Sequence, residues 1–100
     1  MLLQVFRERQ RQDAKWGEQN HDPFLWSAIL GEEVGESAKA ALEMRFGKGT
    51  EDALIEELVQ VAAVAVAAAE CLARGTWTWG AHALAAVEQA KGEDCKPNEL

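Results

Sequence analysis

Residues 51–74 read EDALIEELVQVAAVAVAAAECLAR, and the run from Leu58 to Ala69 is apolar except for Gln60. Ala loses no side-chain entropy on entering a helix, and no Gly or Pro interrupts the stretch, so one long helix is expected here. Leu54, Leu58, Val61, Ala65, Ala68 and Leu72 form one stripe at steps of three and four. Ile55, Val59, Ala62, Val66, Ala69 and Ala73 form a second stripe beside it. A surface this wide predicts burial on more than one side. The apolar run covers 12 residues, short of the roughly 20 a membrane span needs, so it reads as a buried helix. Thr50 is set as an N-cap with Glu51 and Asp52 favourable in the first turn, and Arg74 followed by Gly75 marks the end.

Outward from that helix, Gly47-Lys48-Gly49 breaks the chain. Before the break, a helix is expected from about Pro23 to Arg45, with Asp22 as N-cap and Pro23 in the first turn. Its Ile29, Glu33, Glu36 and Ala40 share a face, with Trp26, Leu30, Ser37 and Ala41 beside them. The segment Leu2 to Lys15 is rich in Gln, Arg and Glu and predicts a first helix. Residues 17–22 read as a loop. After Gly75, Thr76-Trp77-Thr78-Trp79-Gly80 is a turn or linker. A weaker fourth helix from Ala81 to Lys91 and a loose polar tail follow. The expected organisation is a helical domain over 1–75 and a C-terminal extension over 76–100, all-α and bundle-like.

The chain has 100 residues and a formal net charge of −7. So acidic a surface repels nucleic-acid backbone and argues against a nucleic-acid polymer as partner. Cys71 and Cys95 form no close-spaced metal motif and read as free thiols of a cytoplasmic protein. The N-terminal Met-Leu-Leu-Gln-Val-Phe-Arg reaches charge too soon for a secretory signal.

Two acidic motifs stand out. Glu32-Glu33-Val34-Gly35-Glu36 sits in the second helix, and Glu56-Glu57-Leu58-Val59-Gln60 in the third. Glu33 and Glu36 project from one face, as do Glu57 and Gln60. Carboxylates on a core-facing stripe are costly unless paired or bound to a cation, and like charges one turn apart oppose helix formation. The combination points to hard-oxygen ligation of Mg²⁺ or Mn²⁺ by Glu33, Glu36 and Glu57, with Gln60 beside them. Glu32 and Glu56 read equally well as solvated face.

These motifs resemble the signature of the all-α nucleoside triphosphate pyrophosphohydrolases, the MazG-like group: Glu-Glu-x-x-Glu on one helix, then Glu-x-x-Asp on the next after a Gly-rich turn. The stretch Glu8 to Gly17, with His21 and Trp26, is also similar to the small phage and bacterial members. The resemblance covers roughly residues 7 to 74. It implies a MazG-type, four-helix-bundle-like fold and Mg²⁺-dependent hydrolysis of a nucleoside triphosphate to monophosphate and pyrophosphate. It also implies a homodimer or homotetramer whose pocket forms where helices of two subunits pair. Carried over, Glu33, Glu36, Glu57 and position 60 hold the metal. Glu32 or Glu56 binds a further ion or orients water. Position 60 departs from the family, because Gln60 stands where Asp is usual and cannot neutralise the metal. A non-catalytic nucleotide-binding or regulatory module is therefore the alternative.

Arg7, Arg11 and Lys15 stand four apart as a basic stripe. Lys15 and Arg11 are candidates to grip the triphosphate, although pairing with acidic neighbours explains Arg7 and Arg11 equally well. Arg45 and Lys48 are candidates to reach phosphate from a partner subunit. Trp16 and Trp26 are candidates to stack on a base, against the default of a buried structural Trp. Trp77 and Trp79 read as covers for apolar surface or as a subunit contact.

Overall fold

The computed structural model describes residues 1–79. The expected fourth helix and the tail lie outside the described residues. Three helices are present, α1 (Leu2–Trp16), α2 (Pro23–Arg45) and α3 (Glu51–Arg74), with no strand among the described residues. No helix among them is long and apolar enough to cross a membrane.

Local chemistry sets the helix ends. The Asp22 carboxylate accepts the Leu25 amide at 2.9 Å, with Pro23 in the first turn. The Thr50 hydroxyl accepts the Ala53 amide at 3.1 Å. Each bond satisfies an N–H the helix itself leaves open. Gly75 closes α3 in the left-handed region, φ 69°, and its N–H donates to the carbonyls of Cys71 and Leu72. That conformation penalises any residue with a Cβ.

Between α2 and α3 the chain reverses over five residues, 46–50. Gly47 takes φ 75°. A Cβ on Gly49 would lie 3.1 Å from the Glu43 Cβ and 3.2 Å from the Met44 nitrogen, so a larger residue there would have to push the turn a few tenths of an ångström away from α2. The helices run antiparallel: Trp26, near the start of α2, packs on Val64, Ala67 and Cys71, while Glu36 and Ala40 share a hollow with Ala53 and Glu57.

α3 is the central element. It packs against both α1 and α2, and those two do not pack against each other. The buried residues of α3 are Ala63, Val64, Ala67 and Cys71, and none of them belongs to the two stripes expected from the sequence. Several bulky members of those stripes instead face outward, Leu58 being 50% exposed, Val66 42%, and Ile55 and Leu72 41% each, while Leu54, Val59 and Val61 are half-buried. The reason is steric. Trp26 needs a shallow, small-residue surface to lie against, and the 64–67–71 line provides it. A helix apolar nearly all round offers no periodicity to select that face.

Beyond Gly75 the chain returns to the helices. Trp77 packs against the Trp26 cluster. Trp79 lies tilted on Phe24 at 5.4 Å and meets Trp77 edge-on at 5.3 Å, so both rings cover apolar surface as expected. Asn20 clasps the end of α3 by accepting hydrogen bonds from Arg74 at 3.1 Å and Thr76 at 2.7 Å.

Candidate functional site

Because α1 and α2 each lean on α3 without touching, a cleft of about 360 Å³ opens between them. That is near the small end of the range for ligand pockets. α1 supplies Arg11, Lys15 and Trp16, α2 supplies Ile29 and Glu33, and α3 supplies Gln60 and Val64. Steps of four link Arg11 to Lys15, Ile29 to Glu33 and Gln60 to Val64, and side chains so spaced leave one face of a helix, with Trp16 next to Lys15 at its edge.

Glu33 is half-buried in the middle of the packed face of α2, between Trp26 and Ala40. Its pKa is raised, first by desolvation, then by the charges of Glu57, Glu36, Glu8 and Glu32 in that order. Both causes disfavour the anion. Glu36 and Glu57 line an adjoining hollow together with Lys39 and Glu43. That hollow lies one helical turn, about 5 Å, further along the pair. Glu32 and Glu56 are exposed, and the charge of Glu56 acts on Arg11.

The opposite wall is basic and aromatic. Lys15 holds its ammonium 4.8 Å from the centre of the Trp16 ring, which is 60% exposed. Arg11 is bound by Glu8, whose oxygens accept from its Nε at 2.8 Å and from its Nη2. The Glu8 carboxyl is held below the usual range, chiefly by that hydrogen bond, with burial opposing it.

The two tryptophans thus divide. Trp16 presents an open ring, whereas Trp26 borders the cleft but is only 3% exposed and forms the centre of the core. Its ring meets that of His21 in a T-shaped contact, centroids 4.9 Å apart, and its buried Nε1 has no hydrogen-bond partner among the described residues. Arg45 and Lys48 are not brought to the cleft. Arg45 ends α2, twelve residues and so about 18 Å beyond Glu33. Lys48 lines a separate apolar hollow with Leu42 and Phe46. Arg7 is exposed.

Three residues of the cleft, Glu8, Gln12 and Gln19, were not singled out from the sequence. The signal for the first two was there: Glu8, Arg11 and Gln12 stand three and four apart, the spacing of a helix-face network. Next to the cleft, a second hollow contains Arg9, Asp13, Glu18, Glu70 and Arg74. Its charges satisfy one another, Arg9 with Asp13 at 3.1 Å and Glu70 at 3.2 Å, and Arg74 with Glu18 at 3.3 Å. It ties α1 and the 17–22 loop to α3 rather than offering free charge to a ligand.

As donors, the cleft and its neighbour present carboxylates and an amide oxygen, the hard set suited to Mg²⁺ or Mn²⁺. The charges pressing on Glu33 are of the sign a cation would relieve. Among the described residues, no three carboxylate, imidazole or thiol groups are gathered tightly enough to enclose one ion. The acidic residues neighbour one another across the helix pair without closing a cage. No family model, curated protein or solved structure matches this chain.

Proposed function

We propose that this chain is a Mg²⁺-dependent nucleoside triphosphate pyrophosphohydrolase of MazG-like type. The observation that carries the reading is the juxtaposition in one cleft of a carboxyl under like-charge pressure, Glu33, and a wall bearing Arg11, Lys15 and an open Trp16 ring. Acidic and basic walls facing each other suit a metal–polyphosphate ligand, whose cation and anion need opposite partners.

In this reading Glu33, Glu36, Glu57 and Gln60 hold the metal. A Mg²⁺ held there would supply charge neutralisation for the phosphates and lower the pKa of a water. Glu32 or Glu56 orients that water. Arg11 and Lys15 bind phosphate oxygens, and Trp16 stacks on the base while Trp26 shapes the pocket floor from the core. Products are the monophosphate and pyrophosphate.

The proposal includes a homodimer or homotetramer completing a four-helix-bundle-like fold, with Arg45 and Lys48 serving a neighbouring subunit's phosphates. What supports assembly is the outward apolar surface of α3 together with Leu2, Leu3 and Phe6 of α1, which are 86%, 57% and 58% exposed. Large side chains exposed in such number suit burial against another subunit.

Incubation of the purified protein with Mg²⁺ and a panel of canonical and modified triphosphates tests the activity. Monophosphate and pyrophosphate should appear in equal amounts and vanish in Glu33→Ala. No turnover of any substrate overturns the enzyme reading. A second reading, a non-catalytic nucleotide-binding module, is favoured by Gln60, a neutral amide lining the cleft with Glu33. Tight calorimetric binding of a triphosphate without hydrolysis distinguishes it.

A further inference from the structure

We infer, on the reading that the cleft takes a magnesium polyphosphate, that Glu8 is a positioning residue that sets the Arg11 guanidinium for phosphate. A guanidinium carries five N–H donors in a rigid fork. Glu8 occupies one edge of that fork, accepting from Nε and Nη2. The Nη1 donors make no hydrogen bond among the described residues, and the Arg11 side chain is 56% exposed. Glu8 is itself anchored, because its side chain is only 12% exposed and its Oε2 also accepts from the Gln12 amide at 3.2 Å. Gln12 is fixed in turn by Arg9, whose Nη1 donates to its Oε1 at 3.4 Å. A chain of contacts therefore runs from the structural ion pairs of Arg9 to the open edge of Arg11.

An i,i+3 pair on a helix surface adds little to stability, so stability alone does not account for so well-anchored a carboxylate. Its position in the cleft does. A free arginine samples many rotamers and loses that freedom on binding, whereas one held by its Nε edge presents the remaining donors in a set direction. Arg11 also feels the charge of Glu56 on α3, and Glu33 feels the charge of Glu8. The guanidinium is thus held by a carboxylate of α1 in the cleft that also contains Glu33, where the phosphates of a metal-bound polyphosphate would pass.

The test is calorimetric titration of the full chain with inorganic pyrophosphate in the presence of Mg²⁺, run on wild type, Glu8→Gln, Arg11→Ala and the double variant. Circular dichroism checks that each is folded, and Glu8→Asp provides a second variant that keeps the charge. Glu8→Gln should weaken binding about tenfold, the scale of a charge-assisted contact. In the Arg11→Ala background it should add nothing further, because Glu8 acts through Arg11. Equal pyrophosphate affinity in wild type and Glu8→Gln overturns the inference, as does an undiminished Glu8→Gln effect without Arg11 or failure of wild type to bind the probe. Triphosphate turnover is measured separately. Binding that depends on Glu8 in a protein that hydrolyses nothing upholds this inference while rejecting the enzyme.

Discussion

Across the α2–α3 pair, the charge of Glu57 raises the pKa of Glu33, an effect second only to Glu33's own desolvation. Two carboxylates on different helices are thus held where the charge of one, Glu57, disfavours ionisation of the other, Glu33. This has consequences for stability whether or not the protein is an enzyme.

The first concerns pH. With its folded pKa above the ordinary 4.5, Glu33 binds a proton more tightly in the folded chain than in the unfolded one. Its contribution is therefore most favourable below 4.5 and is lost as pH rises through the raised folded value. Glu8 behaves oppositely, because its lowered pKa favours the folded state above the unfolded value and that support is lost on acidification. At neutral pH without metal, Glu33→Gln should stabilise the protein by on the order of 0.5 kcal/mol, the scale of a like-charge helix pair. Urea titrations across the acid range should show that the substitution removes a fall in stability with rising pH. A substitution that destabilises at neutral pH would contradict the repulsion.

Gln60 gives a second test. Gln60→Asp adds a carboxylate to the cleft and should tighten Mg²⁺ binding while making the metal-free protein less stable. Thermal denaturation with and without Mg²⁺ reads both effects, and stabilisation should grow with ligand excess, reaching about 2.7 kcal/mol at a hundredfold over Kd. An equal Mg²⁺ response in wild type and Gln60→Asp would remove Gln60 from the metal group.

Trp26 tests the core. Trp26→Ala should cost about 3–5 kcal/mol in denaturant unfolding, typical of deleting a buried aromatic. Trp26→Phe should cost much less, because it keeps most of the ring area and eliminates a buried N–H without a partner among the described residues. A small loss in the Ala variant would mean that the ring is not the centre of the packing.

Trp16 should behave differently from Trp26. Being 60% exposed, it can be replaced by Ala with stability changed by less than about 0.5 kcal/mol. Triphosphate binding should weaken by about 1–3 kcal/mol if a base stacks there. Unchanged affinity, measured by calorimetry, would leave Lys15 and Trp16 as a mere surface pair.

The helices were legible before any coordinate. α2 and α3 have the bounds expected of them, and α1 extends one residue beyond expectation, to Trp16. Asp22-Pro23, Thr50 and Gly75 act through bonds to residues no more than four positions away, so their effect is written in the local order of residues. The neighbourhood of Glu33 with Glu36 follows from the same short-range geometry, and that with Glu57 from the short Gly-rich turn. The face α3 turns inward was not legible. Apolar side chains surround that helix, and the choice of Val64, Ala67 and Cys71 over the larger stripes came from the shape of Trp26 arriving from α2. The separation of Trp16 from Trp26, the distance of Arg45 and Lys48 from the cleft, and the anchoring of Arg11 by Glu8 were likewise settled by packing. Capping is a contest among neighbours along the chain, whereas burial depends on which distant surface fits against which.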